Sequence, residues 1–516
     1  MGNNGVKTAT QDGETCEFKY LMVKPCDGSL TDLFHFLVSG AKSYKFLKTS
    51  KDENEGERGL GPISGDHRLV ILVSILVRRI IAAFGKPMEW CGILVEFLLN
   101  LLLLNGGLRC LFFNLFSGKV GVPKRGSETF ISVIGHLDRR INLHKFDSGA
   151  NKGIEGSFSV GSRALIDLCM MASKLAYENN KVIAHVVTSH WKMHFVKFYN
   201  CWNDYQKELS TQVFILCDKP KDANIVLISF RGTELFDSND WSTDIDYSWY
   251  EIPHIGKIHM GFLEALGLGN RDQVYSFQFH LQGGNSSKSS SFDIAVNHDT
   301  SSDLDRNKEN AYYCIRSKLK TLLHENKNAE FIVTGHSLGG ALAVLFPAIL
   351  VFHKEEELLK KLLGVYTFGQ PRVGDQQFVR FMEAHLCHPV PKYLRMVYCN
   401  DLVPRLPYDN KTFLYKHFGT CAYYNSLYIE KDVEEEPDMN YFGLRYFLPQ
   451  HLNAVWELIR SLTMGYKYGK EYKETWFSIL LRVCGVVVPG LSAHCPANYI
   501  NSIRLGRAAT DTRRSS

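Results

Sequence analysis

Residues 331–345 read FIVTGHSLGGALAVL, and this stretch decides how the rest of the chain is interpreted. A short β-type run leads into a Gly-His-Ser-Leu-Gly turn, and small and aliphatic residues typical of a helix follow. A strand, a sharp turn carrying serine and a helix form a nucleophile elbow, whose strained backbone projects the Ser337 hydroxyl from a sheet end. Glycine suits positions 335 and 339 because a side chain there would clash where strand and helix pack. The stretch therefore predicts a catalytic nucleophile at Ser337; the alternative is a glycine-rich turn with a capping serine.

Composition describes a large globular protein. The 516 residues are 45% hydrophobic and 22% charged, which is ordinary for a folded chain long enough for a large α/β core. The net charge of +5 is small for this length and does not suggest a nucleic-acid partner. Thirteen scattered cysteines without a C-x-x-C pair predict reduced intracellular thiols rather than disulfides or zinc. The polar start of the chain predicts no secretory signal peptide.

The most apolar part of the chain is residues 69–116. Its first two runs are separated by Gly85-Lys86-Pro87, and each is shorter than the roughly 18–20 apolar residues that a spanning helix needs. Arg78, Arg79 and Glu96 lie within the runs and argue against a simple span. We therefore expect residues 66–118 to anchor the protein on a lipid surface, as a hairpin bent at Gly85-Lys86-Pro87 or as interfacial helices with snorkelling arginines. A droplet monolayer would suit a hairpin; the alternative is a helical pair packed on the catalytic domain.

The remaining chain divides by composition. Residues 1–65 are polar or amphipathic, with a helix expected over 30–47 that places Leu33, Phe34, Leu37 and Val38 on one side. Residues 119–506 alternate strands with helices, which predicts a mostly parallel α/β sheet flanked by helices. Residues 270–310, rich in Ser, Asn, Asp and Lys, suggest a disordered surface insertion, and 507–516 form a polar tail.

A nucleophilic serine needs a base, and the base needs an acid to orient it. After a nucleophile elbow the chain order is serine, then Asp or Glu, then His. Asp401 ends the strand-like YLRMVYCN and is preferred over its rival Asp375 as the acid. Three histidines follow Asp401. His494 lies on a loop between a Pro-Gly turn and Pro496 and is the predicted base; the others, His417 and His451, fit a strand and the start of a helix.

The oxyanion of a tetrahedral intermediate needs preorganised N–H donors. The residue after the nucleophile, Leu338, supplies one backbone N–H, and the loop after an earlier strand supplies the second. Thr233, which follows the buried strand 224–230, fits this position, and its hydroxyl could be a third donor. Arg231 is interpreted as a structural ion-pair partner.

Several segments, in this order and spacing, resemble the class three lipases, an α/β-hydrolase family that includes fungal triacylglycerol lipases. They are SFRGTE (229–234), HMGF (259–262), TGHSLGGALA (334–343), TFGQPRVGD (367–375), NDLVP (400–404), and His494 with Tyr499. The resemblance covers about residues 160–505. It implies the α/β-hydrolase fold, Ser337, Asp401 and His494 as catalytic residues, Thr233 and Leu338 as the oxyanion hole, and no cofactor.

The N-terminal apolar region, the RGTELFD stretch and the insertion look like the plant oil-body lipases. This closer resemblance implies triacylglycerol as substrate and a lipid-droplet location. Residues 234–259 also resemble the family's lid, an aromatic-rich flap, with core packing as the alternative. Four aspartates there, at 237, 240, 244 and 246, lack the spacing of a calcium loop, so no metal is predicted.

Three alternatives remain open at this point. A phospholipase A1 or galactolipase would share every catalytic residue. A non-catalytic, lipase-like signalling scaffold would not need the complete Ser–Asp–His set. The apolar region could also place the enzyme in the endoplasmic reticulum membrane. The sequence leaves acyl-chain selectivity and oligomeric state undetermined.

Overall fold

A computed structural model describes residues 18–39, 44–50, 65–146, 161–282, 310–408, 414–437, 441 and 443–508. Its strands are β1 Tyr20–Val23, β2 Leu47–Thr49, β3 His194–Asn203, β4 Glu208–Cys217, β5 Ile225–Phe230, β6 Trp249–Ile252, β7 Gly256–His259, β8 Glu330–His336, β9 Leu362–Phe368, β10 Tyr393–Tyr398, β11 Cys421–Tyr424, β12 Ile429–Val433 and β13 Arg507–Ala508.

The helices surround these strands and are numbered in chain order. They are α1 Leu30–Ser39, α2 Gly65–Leu104, α3 Leu108–Phe116, α4 Val133–Leu137, α5 Arg163–Leu175, α6 Asn180–His185, α7 Ser238–Asp244, α8 Met260–Ala265, α9 Tyr275–Leu281, α10 Ala311–Glu325, α11 Leu338–Phe352, α12 Glu356–Lys360, α13 Gln376–Met382, α14 Leu444–Lys467, α15 Trp476–Val487 and α16 Pro496–Leu505.

The large sheet has the strand order β13-β12-β11-β10-β9-β8-β5-β4-β3. Its centre is parallel, because β5 pairs with β8, β8 with β9, β9 with β10 and β10 with β11 in the same direction. Antiparallel pairs occur towards the edges, between β3, β4 and β5 and between β11 and β12. The predicted mostly parallel sheet is confirmed.

Both faces of this sheet are covered, as its sequence requires. Alternate side chains of β5 enter two different apolar clusters, with Ile228 in one and Leu227 in the other. The first cluster includes residues of α10 and α11, and the second includes residues of α5 and α16. Continuous apolar strands such as β5 are typical of parallel sheets with helices on both sides.

A second, antiparallel sheet has the order β2-β1-β6-β7 and is built from distant parts of the chain. Strand β1 pairs with β6, so Leu21 lies opposite Trp249. Residues of the predicted N-terminal region 1–65 therefore complete a sheet with residues of the catalytic part. Helix α1 lies within the predicted range 30–47; in it Leu33 is buried, whereas Phe34, Leu37 and Val38 are exposed.

The apolar region begins with one unbroken helix rather than a hairpin. Helix α2 runs through Gly85 and Pro87 without a turn, so the predicted bend is wrong. Two glycines let this helix lie directly on the chain after β5. A Cβ at Gly85 would be 2.7 Å from Ser238 Oγ, and one at Gly92 would be 2.5 Å from Phe236 Cβ. The glycine that looked like a helix breaker is a packing position.

The arginines of α2 point into protein, so the prediction that they snorkel to a lipid surface is wrong. Arg78 is buried, pairs with Asp246 at 2.7 Å and donates to the carbonyl of Val23. Arg79 donates to backbone carbonyls of residues 25–28. Ionic groups away from water need such partners, and these bonds attach the first half of α2 to the second sheet.

The end of the apolar region is exposed. Helix α2 stops at a turn containing Gly106 and Gly107, both with positive φ, and α3 follows. No residue of α3 is buried, and its side chains include Phe112, Phe113 and Phe116. Among the helices of the described residues, none combines the length and apolar character required to cross a bilayer.

Part of the predicted insertion at 270–310 is folded. Arg271 is buried and forms ion pairs with Glu264 and Asp246, each at 2.6 Å. Phe277 and Leu281 of α9 are buried in the first apolar cluster. The prediction of disorder is therefore wrong for residues 270–281, and residues 283–309 lie outside the described residues. In the predicted tail, β13 joins the large sheet, and residues 509–516 are also not described.

Candidate active site

Ser337 lies at the turn between β8 and α11. Its φ of 59° and ψ of −135° are the strained backbone expected of a nucleophile elbow. A Cβ at Gly335 would be 2.1 Å from the carbonyl oxygen of Gly339, and a Cβ at Gly339 would be 2.4 Å from that of Phe230. These contacts explain both glycines, because strand, turn and helix touch through their backbones. Ser337 is therefore positioned by β8, with the N-terminus of α11 directly behind it.

Asp401 and His494 are brought together from positions 93 residues apart. His494 Nδ1 lies 2.8 Å from Asp401 Oδ2 and 3.0 Å from Oδ1. The carboxylate is fully buried and also accepts a hydrogen bond from the backbone N–H of Val403 at 2.9 Å. An acid that binds the Nδ1 proton holds the imidazole with Nε2 available as a base.

The His494 ring lies beside the elbow. Its centroid is 4.5 Å from that of His336, the residue immediately before Ser337. The backbone N–H of Ser337 donates to the carbonyl of Phe368, and the following residue, Gly369, touches the His494 ring. A Cβ at Gly369 would lie 3.0 Å from His494 Cε1, so only glycine leaves room for the imidazole there.

The rival residues have other contacts. Asp375 caps α13, accepting from the backbone N–H groups of Gln377 and Phe378. His417 is buried beside Glu436 and contacts the carbonyl of Pro404 through Nε2. His451 bonds a carbonyl of its own helix through Nδ1. The structure therefore groups Asp401 with His494 and does not bring the three rivals to the elbow.

The loop after β5 touches Ser337, as the oxyanion prediction requires. A Cβ at Gly232 would be 3.0 Å from Ser337 Cβ and 2.4 Å from the carbonyl oxygen of His336. Thr233 and Leu338 are both buried here. Arg231 pairs with Glu234 and with Asp240, the latter at 3.9 Å, and donates to the carbonyl of Ser210. The interpretation of Arg231 as a structural ion-pair residue is confirmed.

The Thr233 hydroxyl has a partner that the sequence did not reveal. It donates to Asp244 Oδ2 at 2.8 Å, so its proton is directed to the end of α7. Burial raises the pKa of Asp244 to about 7, against the lowering effects of the Thr233 hydrogen bond and of nearby His494. The interpretation of this hydroxyl as a third oxyanion donor does not describe this structure.

His336 connects the elbow to the His494 loop. Its Nε2 lies 3.0 Å from the carbonyl of His494, and its Nδ1 lies 2.9 Å from the hydroxyl of Tyr177. Burial and the neighbouring His494 hold the pKa of His336 well below its usual value, so the ring is neutral. A carbonyl can only accept, so Nε2 carries the proton and Nδ1 accepts from Tyr177.

Tyr499 completes the surroundings of the acid. Its hydroxyl donates to Asp401 Oδ2, the same oxygen that His494 approaches. Burial and the Asp401 carboxylate raise the pKa of Tyr499 well above its usual value, so it stays a donor. The resemblance included Tyr499 but assigned it no role. No spacing in the sequence indicates Tyr177 or Asp244.

The segment predicted as a lid is divided between two environments. Tyr247, Tyr250, Ile252 and Ile255 are buried in apolar clusters around the second sheet. Core packing, the alternative to a lid, therefore accounts for the burial of these four residues. Residues 234–244, which include α7, lie against α2 and remain the part for which movement is a prediction.

The aspartates of this segment each have a protein partner. Asp237 caps α7, Asp244 accepts from Thr233, and Asp246 pairs with Arg78 and Arg271. Within the residues that the structure describes, no group of three or more His, Cys, Asp or Glu could hold a metal ion.

A cavity of about 270 Å³ opens beside the loop after β5. Its lining comes from α2, from residues 125–134, from Tyr177 and from the chain after Thr233. The apolar members include Gly92, Ile93, Ile134, Leu235 and Phe236, and the charged ones are Glu89, Glu96, Arg125, Glu234 and Asp237. The second half of α2 therefore forms one wall of the space next to the site.

Comparison with known proteins gives the family. The model of the family described as Lipase (class 3) matches residues 227–411. A protein from Nicotiana tabacum named triacylglycerol lipase OBL1 is 57% identical, over 95% of each chain. One of the same name from Arabidopsis thaliana is 53% identical, over 94% of this chain and 95% of its own. A solved lipase from Rhizopus microsporus var. chinensis is 21% identical, covering 57% of this chain and 83% of its own with a TM-score of 0.34.

The elbow and the sheet around it are those of a hydrolase built on a mainly parallel α/β sheet. The chain belongs to the class 3 lipase family, and it is similar along nearly its whole length to plant proteins named triacylglycerol lipase OBL1.

Proposed function

We propose that this protein hydrolyses the ester bonds of triacylglycerols, and of the di- and monoacylglycerols formed from them, at the surface of lipid droplets. Ser337, Asp401 and His494 are the proposed catalytic residues, with Thr233 and Leu338 as the oxyanion hole. The observation that best supports triacylglycerol as the substrate is the 57% identity to a triacylglycerol lipase along nearly the whole chain. The contact of His494 with Asp401 beside the elbow supports the chemistry.

The proposed reaction builds on the contact of His494 with Asp401. His494 takes the proton of Ser337 as the hydroxyl oxygen attacks the ester carbonyl, while Asp401 stabilises the imidazolium through Nδ1. The backbone N–H groups of Leu338 and Thr233 bind the oxyanion, with the N-terminus of α11 adding favourable field. His494 then protonates the leaving alkoxide, and water releases the acyl group by the reverse route.

The first test is the purified Ser337→Ala variant on a triolein emulsion. We expect turnover to fall by several orders of magnitude, on the order of a million-fold for loss of such a nucleophile. The control is Ser502→Ala, which removes a buried hydroxyl that bonds the carbonyl of Asn498 in α16. Wild-type activity in the Ser337→Ala variant would contradict the assignment.

Substrate class is tested on the same preparations. We expect faster release of fatty acid from triolein than from phosphatidylcholine or galactolipid vesicles; the reverse order would indicate a phospholipase A1 or galactolipase. A fluorophosphonate probe should label the wild type and not Ser337→Ala. A folded protein that neither labels nor hydrolyses would be a scaffold.

A further inference from the structure

The pair of helices α14 and α15, here called the C-terminal hairpin, exposes apolar side chains to solvent and buries charged ones. It lies outside residues 227–411, which the family model matches. Most of its exposed side chains are apolar, and these recur at intervals of three and four residues, as on one face of a helix. On α14 they are Leu448, Leu452, Val455, Ile459, Leu462 and Tyr466, with Phe447 and Trp456 beside them; on α15 they are Trp476, Leu480, Val483 and Val487.

Charge is missing from the outer face of α14. Between positions 447 and 466 the exposed residues are apolar except for Thr463. A helix on the surface of a soluble protein normally places charged groups on this side. Exposed apolar areas of this extent mark surfaces that contact another phase or molecule.

The inner face of the hairpin carries the polar groups. Glu457 accepts from the hydroxyl of Tyr398 at 3.0 Å, and Arg482 pairs with Glu474 at 2.6 Å and with Glu457 at 3.5 Å. Arg460 also donates to Tyr398, at 2.8 Å. Rotating the helices to hide their apolar side would break these contacts and leave the buried Tyr398 hydroxyl without its partners, which is costly. The apolar face is therefore held outward by the ionic contacts beneath it.

The hairpin continues directly into the proposed active site. Helix α15 ends at Val487, seven residues before His494, and a Cβ at Gly485 would be 2.2 Å from Ser492 Oγ. On its other side, Thr475 donates to the carbonyl of His136 in α4. Helix α4 also contacts α2, so the apolar hairpin and the exposed apolar residues of α2 flank one short segment.

The rim of the hairpin suits a phospholipid surface. The end of α14 and the connection to α15 expose Lys467, Lys470 and Lys473, together with Glu471, which pairs with Arg504. Lysines beside an apolar helix face can reach phosphate groups while the apolar side chains enter the acyl region. Trp456, Tyr466 and Trp476 have the amphipathic rings that favour such boundaries.

We propose that the C-terminal hairpin is a second docking surface, which binds the phospholipid monolayer of a lipid droplet and holds the His494 side of the active site against it. The inference rests on the proposed function, because a lipid phase is the expected occupant when the substrate is a lipid. It adds a contact that is separate from α2 and α3.

The test compares Leu448→Gln/Leu452→Gln/Ile459→Gln with the wild type. The matched control is Leu209→Gln/Val390→Gln/Leu427→Gln, which changes three exposed aliphatic residues outside the hairpin. Each protein is floated with triolein droplets coated with phosphatidylcholine and some phosphatidylserine. We expect the hairpin variant to bind at least about tenfold more weakly, with wild-type rates on a soluble butyrate ester, and the control to behave as the wild type.

Unchanged flotation of the hairpin variant would overturn the proposal. A wild type that is dimeric by light scattering, converted to monomer by the same changes without loss of flotation, would assign the face to a second copy. Failure of the proposed function is distinguishable, because it would appear as Ser337→Ala retaining ester hydrolysis while flotation is unaffected. If the hairpin variant does not fold, a second measurement decides, namely quenching of tryptophan fluorescence by brominated phospholipid. Trp456→Phe/Trp476→Phe should lose part of the quenching seen in the wild type, and equal quenching would contradict the proposal.

Discussion

At the scale of single residues, Tyr499 and His494 share one oxygen of Asp401. In Tyr499→Phe the carboxylate loses a donor that helps to hold it in place. Loss of a hydrogen bond to a charged group, about 1.5–3 kcal/mol, should lower kcat about tenfold or more through poorer positioning of the acid.

The measurement is a pH profile on a soluble ester. Tyr312→Phe is the control, because the hydroxyl of Tyr312 contacts His353, a pair outside the proposed site. Coincident profiles for wild type and Tyr499→Phe would show that the tyrosine only fills space.

Asp244 predicts a pH dependence of stability. Burial raises its pKa from 3.8 to about 7 in the folded protein. Between these values the folded state holds a proton that the unfolded state has lost, so the contribution of Asp244 to stability decreases as pH rises from about 4 to about 7. Asn cannot titrate, so between pH 4 and 7 the unfolding free energy of Asp244→Asn should decrease less than that of the wild type. The difference between the two decreases should be up to about 4 kcal/mol.

Urea unfolding at several pH values measures this difference. Asp432→Asn, which removes an exposed carboxylate of β12, controls for the change in net charge. Parallel stability curves for wild type and Asp244→Asn between pH 4 and 7 would contradict the prediction.

Residues within one local pattern were predictable, and their distant partners were not. Ser337 is marked by the glycines on both sides. The expected chain order of serine, acid and histidine then limits the acid and the base to a few residues, among them Asp401 and His494. Tyr177 and Asp244 come from a helix end and from α7, and no fixed spacing connects them to the elbow. Their roles depend on which side chains the fold brings into contact.

At the scale of elements, α2 shows that packing decides whether a glycine ends a helix or allows a close contact. In Gly92→Val the new side chain would meet Phe236, whose Cβ would lie 2.5 Å from the added Cβ. Helix and loop must separate, which should destabilise the protein by about 1–3 kcal/mol. Thr233 lies three residues before Phe236, so we also expect lower activity on soluble and emulsified esters.

Thermal unfolding and ester hydrolysis measure the two effects. Cys91→Val is the matched control, because Cys91 is the neighbouring residue of α2 and is exposed. Equal losses in both variants would show that valine in the helix, rather than the contact with Phe236, is responsible.

The same helix explains why its shape was not predicted from sequence. Gly85-Lys86-Pro87 matches the usual signal for a turn, and a proline inside a helix costs about 3 kcal/mol. The close contacts of Gly85 with Ser238 and of Gly92 with Phe236 exist only once α2 lies on the loop after β5. By contrast, the Asn-Gly-Gly turn after α2 and the buried central strands were predictable, because local chemistry and tertiary packing agree there.

At the scale of the whole molecule, the N-terminal part contains both packed and exposed stretches. Strand β1 pairs with β6, and Arg78 pairs with buried Asp246, so residues before 118 help to build the catalytic part. Helix α3, in contrast, has no buried residue. The stretch that packs on the rest of the protein therefore differs from the exposed helix that we propose contacts lipid, although composition alone marks both as one region.

This division predicts opposite outcomes for two changes. Deletion of residues 1–118 should abolish cooperative unfolding and hydrolysis of a soluble ester, because it removes the partners of β6 and Asp246. Phe112→Gln/Phe113→Gln/Phe116→Gln should keep both properties and weaken binding to coated triolein droplets, since about 1.5–3 kcal/mol is available from each fully buried aromatic or aliphatic side chain.

A full-length fluorescent fusion should mark droplets in cells, and the phenylalanine variant should mark them less. An active, folded truncation would mean that the N-terminal contacts are dispensable, and a reticular signal that never reaches droplets would contradict the proposed location.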